Sequence, residues 1–184
     1  MPHIPVSEEV PGMGGLLLFK PSTGLKFSEL AEQILRGPSP LSESEREMIA
    51  VLVSSRNECF YCTHSHAATA AHLLEGDYET VWSVVADPES SPVTDKMRAL
   101  LHIAAKVQRS GREVTPEDVA QARAAGAGDE DIHDAVLIAA FFSMANRYVD
   151  GLAAITPTDE KSYDQIGRRL AEQGYMSRFR SPAV

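Results

Sequence analysis

L-S-E-S-E-R-E-M-I-A-V-L-V-S-S-R-N-E-C-F-Y-C-T-H-S-H-A-A, Leu41 to Ala68, decides how this chain reads. It begins with a helix start: Ser42-Glu43-Ser44-Glu45 is a capping-box signature, in which the Ser hydroxyl and a carboxylate three residues on each satisfy a free backbone N–H. The helix runs through Met48, Ile49, Leu52 and Val53. Residues 48–53 are apolar all round, the mark of a helix buried on several faces. A second helix opens near Glu58 and runs to Leu74, closed by Gly76. It holds both cysteines of the chain, with Glu58, His64 and His66 crowded around them.

On that second helix Cys59 and Cys62 are i,i+3 neighbours, and Cys62 and His66 are i,i+4 neighbours, so the three side chains share one face. Two thiols at this spacing close a disulfide with little backbone movement. Cys59 falls in the first turn, where free N–H groups and the helix dipole favour a thiolate. His66 lies one turn below Cys62, placed to accept its proton. Glu47 stands at the head of the apolar run; on residues alone it reads first as a solvated first-turn acid beside Glu43 and Glu45 that complements the helix dipole, whereas a buried Glu near a His–Cys pair makes a proton relay from Glu47 to His66 to Cys62. Two other readings of the stretch stay open on residues alone. The cysteines with His66 and one more ligand suit zinc, although a structural zinc site takes four ligands. Two core cysteines acting as small apolar groups is the blander reading. A thioredoxin-like module needs βαβ units, which are missing here.

Outward from this centre the pattern stays helical. Phe27, Leu30, Ala31, Ile34 and Leu35 recur at helical spacing, and Gly37-Pro38 ends that segment. Further helices are expected over 78–86, from Thr94 to Gly111, from Thr115-Pro116 to Gly126, from Asp129 to about Ala154, and over about 159–173. With no period-2 segment, the fold class is all-α. Residues 1–25 are rich in Pro and Gly and read as an extended N-terminal arm, 26–175 as one helical domain, and 176–184 as a basic tail. The Leu16-Leu17-Leu18-Phe19 run needs cover, which a partner chain would supply. Trp82, Phe141, Phe142 and Met144 are expected in the core. Asn146 and Arg147 are polar intruders in the long apolar helix, with a structural hydrogen-bond role expected. His64, about 200° around the helix from Cys62, is expected at the surface or an interface.

The net charge of -9 makes nucleic acid and anionic membrane poor partners. No apolar run approaches the roughly 20 residues that span a bilayer. The first residues lack the basic region and apolar block of a signal peptide, which points to a cytoplasmic protein.

The segment Leu41–Ala68 resembles the core motif of the alkylhydroperoxidase D-like, or carboxymuconolactone decarboxylase, family. In its peroxidase branch a Glu stands twelve residues before a Cys-x-x-Cys, and a His follows four after the second Cys. Glu47, Cys59, Cys62 and His66 match this spacing. The N-terminal arm and the Leu35–Ser42 lead-in resemble the longer "peroxidase-related" subgroup. The resemblance implies an all-helical fold, a homo-oligomer (dimer, trimer or hexamer) and four catalytic residues. Cys62 attacks the peroxide and becomes a sulfenic acid, Cys59 resolves it as a disulfide, and Glu47 and His66 relay protons. One branch carries a His between the cysteines, where this chain has Tyr61. Glu58 is expected to raise the Cys59 thiol pKa.

The expected function is thus a thiol-dependent peroxidase for hydrogen or organic hydroperoxides, with no cofactor or metal and with an external dithiol as reductant. The alternatives are a redox-sensing or structural oligomer with a switchable dithiol, and a cofactor-free decarboxylase or lactone enzyme.

Overall fold

Short polar side chains start most of the helices. Ser42 and Thr115 close capping boxes with Glu45 and Asp118, and Asp77, Thr94 and Asp159 each accept a backbone N–H two or three positions into their helix. The computed structural model describes residues 1–180. Its elements are α1 (Met13–Phe19), α2 (Pro21–Arg36), α3 (Glu43–Arg56), α4 (Phe60–Leu73), α5 (Tyr78–Ala86), α6 (Asp95–Arg109), a 3-10 turn (Gly111–Glu113), α7 (Pro116–Ala124), α8 (Asp129–Gly151) and α9 (Glu160–Gln173). Among the described residues there is no strand, so the fold is all-helical. The last four residues of the basic tail lie outside the described residues.

The apolar run of α3 makes it the central helix. Ile49, Ala50, Val51, Leu52 and Val53 are all fully buried, and α3 packs on α4, α8, α6, α5 and α2. At roughly 1.5–3 kcal/mol for each large aliphatic side chain, Ile49, Val51, Leu52 and Val53 together contribute about 6–12 kcal/mol of burial free energy. A second, smaller cluster joins Leu16 of α1, Cys59, Tyr61 and Cys62 with Tyr163, Ile166 and Leu170 of α9.

The first 25 residues are not the extended arm the sequence suggests. Only residues 1–12 are irregular, and α1 and the start of α2 follow. Pro21 occupies the first turn of α2, where its fixed φ and missing N–H suit a helix start. Gly24 allows α1 and α2 to meet, because a Cβ there would collide with the Leu17 carbonyl. Leu16 and Leu17 find cover within the chain, whereas Leu18 and Phe19 stay exposed. Trp82 and Met144, expected in the core, are 37% and 49% exposed, while Phe141 and Phe142 are buried as expected. Helical spacing gives the phase of a face but not what covers it. No helix among the described residues is long and apolar enough to cross a membrane.

Candidate active site

The break between α3 and α4 shapes the thiol pair. Glu58 takes a left-handed conformation (φ 60°) and so interrupts the helix expected to begin with it. Cys59 follows as the N-cap of α4, with extended backbone (φ −80°, ψ 95°), and its carbonyl accepts the Thr63 N–H at 3.0 Å. The first helical turn therefore holds Cys62 rather than Cys59, in the turn whose free N–H groups favour an anion. Both cysteines are buried free thiols. The Cys59 thiol is pushed far above its ordinary pKa, first by its hydrogen bond to Cys62 and then by burial. Exposed Glu58, expected to cause that shift, is not its main source.

Glu47 is fully buried and reaches His66. Its Oε2 lies 2.7 Å from His66 Nδ1. Its Oε1 accepts from Arg36 Nη2 at 2.7 Å and from the Tyr175 hydroxyl at 2.5 Å. Burial alone would raise the carboxyl pKa. His66, Arg36 and Tyr175 together overcome it and hold Glu47 down to about 2, a carboxylate through the neutral range. Arg36 Nε lies 3.3 Å from Glu43, so two carboxylates frame one guanidinium. Tyr175 stacks parallel to the His66 ring at 6.0 Å between centroids, and its hydroxyl lies 3.2 Å from His66 Nδ1. Burial and the Glu47 charge push the Tyr175 pKa well up, so it stays a neutral donor. Phe142 meets the other face of His66 edge-on at 4.5 Å.

Cys62 and His66 both border a cavity of about 70 Å³ with apolar walls that include Phe27, Phe141 and Phe142. With Nδ1 committed to Glu47, the His66 Nε2 is the ring nitrogen left without a hydrogen bond among the described residues.

The sequence-predicted set thus divides. Glu47 and His66 are hydrogen-bonded, Cys59 and Cys62 are free thiols in one buried cluster, and Cys62 and His66 share the cavity. His64 is half-buried, stacked on Phe60 at 3.8 Å away from the cavity. Asn146 has the expected structural role, donating to Ser54 Oγ and accepting from Asn57, and Arg147 donates to the Ser143 carbonyl at the surface. Among the described residues no three His, Cys, Asp or Glu side chains converge as metal ligands, so the zinc set does not assemble.

Arg36 and Tyr175 are the residues sequence reasoning missed. Arg36 had a faint signal, a lone cation closing α2 before Gly37-Pro38. Tyr175 had none, since only a tertiary contact places it. Gly174 turns the chain in the left-handed region (φ 71°), and the Glu32 carboxylate then captures the N–H groups of Tyr175 (2.6 Å) and Met176 (3.3 Å). That clamp drops the Tyr175 ring onto His66.

Known proteins with this fold carry the same character in their names. The carboxymuconolactone decarboxylase family model matches residues 21–106. A peroxidase-related protein from Silicibacter sp. TM1040 is 33% identical, with a TM-score of 0.73, over 82% of this chain and 76% of that one. A peroxidase-related protein from Ralstonia eutropha JMP134, described as an alkylhydroperoxidase AhpD core, is 27% identical with a TM-score of 0.75, over 86% and 81%. No curated protein matches the chain. The chain belongs to the carboxymuconolactone decarboxylase family, and its fold is that of the alkylhydroperoxidase-like, peroxidase-related members.

Proposed function

We propose that this chain is a thiol-dependent peroxidase in which Cys62 attacks, Cys59 resolves, and His66 with Glu47 moves the proton. The observation that carries the reading is the buried Glu47–His66 hydrogen bond of 2.7 Å beside a cavity that Cys62 also lines. The Glu47 carboxylate fixes the His66 ring and stabilises it when charged, so Nε2 is the nitrogen that takes and returns a proton. The Cys62 thiol gives its proton to His66, and its sulfur attacks the terminal oxygen of ROOH. An S–O bond forms, the O–O bond breaks, and the leaving alkoxide takes the proton back and departs as ROH. Cys62 is then a sulfenic acid. The Cys59 sulfur attacks it: an S–S bond forms, the S–O bond breaks, and hydroxide leaves as water with the Cys59 proton. The raised Cys59 pKa suits this order, since a thiol that keeps its proton does not compete for the first attack. An external dithiol returns the disulfide to two thiols by exchange, supplying two electrons and two protons.

The test treats reduced protein with one equivalent of peroxide and follows intact mass. Wild type is expected to lose two hydrogens, reversibly with a dithiol, and Cys62→Ser to lose turnover at least about a thousandfold. Turnover that persists in Cys62→Ser would refute the mechanism. The family name favours one second reading, a cofactor-free decarboxylase, whose activity survives alkylation of both thiols.

A further inference from the structure

The proposed peroxide reduction uses Cys62 and His66 and leaves the cationic part of the cavity lining without a role. Two guanidinium groups lie there, Arg169 on α9 and Arg178 in the turn after it. Neither has a carboxylate within ion-pair distance among the described residues, whereas Arg36, Arg168 and Arg180 each do. Their one hydrogen bond to the described protein runs from Arg169 Nη1 to Ser177 Oγ, 2.9 Å. The two charges oppose each other: burial, then Arg178, push Arg169 below the ordinary arginine range. Gly14 makes the arrangement sterically possible, since a Cβ there would lie 2.9 Å from Arg178 Cζ. Ser65 Oγ adds a second sign of a missing ligand. It is buried, its residue lines the same cavity, and it has no hydrogen-bond partner among the described residues.

Half-buried like charges without a counter-charge cost free energy, and an anion between them offsets that cost through charge-assisted hydrogen bonds. The walls toward Cys62 are apolar, through Leu17, Phe27 and Phe142. We propose that this cavity takes organic hydroperoxides bearing a carboxylate, with the carboxylate on Arg169 and Arg178 and the peroxide at Cys62. This rests on the peroxidase reading of Cys62.

The experiment compares 3-hydroperoxy-3-methylbutanoate with tert-butyl hydroperoxide, tertiary hydroperoxides with and without the carboxylate. Wild type is expected to prefer the acid by about tenfold or more in kcat/KM, mainly through KM. In Arg169→Gln and Arg178→Gln the ratio is expected to fall toward one, with Arg169→Lys keeping part of it. Unreactive 3-methylbutanoate gives a readout independent of turnover: its binding by calorimetry, and its protection of Cys62 from iodoacetamide, are expected to weaken about tenfold in Arg178→Gln. Equal rates for the two peroxides, with no arginine-dependent binding of 3-methylbutanoate, overturn the carboxylate site and leave the peroxidase standing. Arginine-dependent binding of 3-methylbutanoate with no turnover of either peroxide overturns the peroxidase reading, and with it the substrate class, and leaves only a carboxylate site.

Discussion

Two buried polar networks sit at opposite ends of α3 and are built on different terms. At its C-terminal end Asn146 donates to Ser54 (3.0 Å) and accepts from Asn57 (2.8 Å), and Gln108 donates to Asn57 (2.8 Å). Every member is neutral, and none borders the thiol cavity. At its N-terminal end a carboxylate with no solvent exposure takes three donors, and two of them, His66 and Tyr175, face that cavity. A neutral network fixes where α3, α6 and α8 cross at small electrostatic cost. A buried charge costs far more to desolvate, and this one stands beside the cavity that Cys62 lines, where the proposed chemistry would use it.

The comparison breaks most visibly at Glu47. Glu47→Gln is expected to lower peroxide turnover by about 10²–10⁴-fold, since His66 loses its counter-charge. It is also expected to cost on the order of 3 kcal/mol of stability, because Arg36 is left buried with only the more exposed Glu43 carboxylate as counter-charge. The sign of the acid response follows from the depressed Glu47 pKa. Its stabilisation is full above the unfolded carboxyl value near 4.5 and is lost as pH falls from there through about 2. Glu47→Gln is expected to flatten that part of the stability curve, as measured by denaturant unfolding across pH.

The neutral network breaks in the opposite sense. Asn146→Ala is expected to destabilise by about 2 kcal/mol, from the partners it strands, with turnover per folded molecule unchanged. A comparable loss of activity in this variant would erase the distinction between the two networks.

Tyr175→Phe sharpens the contrast with the smallest change. One hydroxyl leaves and the stacking ring stays, for an expected loss of about 1.5 kcal/mol. With one donor fewer the folded Glu47 pKa rises toward its unfolded value, so the loss of stability in acid is expected to be smaller and to be complete at higher pH than in wild type. An acid transition at the wild-type pH would show that the hydroxyl does nothing for Glu47.

Much of this was legible in residues a few positions apart. Ser42, Thr94 and Thr115 announced their helices because capping is local chemistry, and the α3 run read as buried because it is apolar on every side. Glu47 and His66 were legible through a spacing shared with relatives, although their contact is tertiary. Arg36 and Tyr175 were not, since nothing local marks a residue whose partner lies 11 or 128 positions away. The α1 helix was hidden because Gly and Pro read as breakers, while here Pro21 starts a helix and Gly24 permits a close approach. Arg169 and Arg178 fall in the expected 159–173 helix and the basic tail, and nothing local in either stretch shows that the fold turns both toward one cavity.

The Glu32 clamp also orders events in time. Tyr175 follows Glu32 by 143 positions, and Glu47, Cys62 and His66 all precede it. As the chain leaves the ribosome, the helices that carry the thiols can pack well before the tyrosine arrives. A nascent molecule that stops short of α9 therefore has its cysteines uncovered, Glu47 short of one donor and the roof over His66 still open. The buried-carboxylate site is completed only when the last described helix and the turn after it arrive.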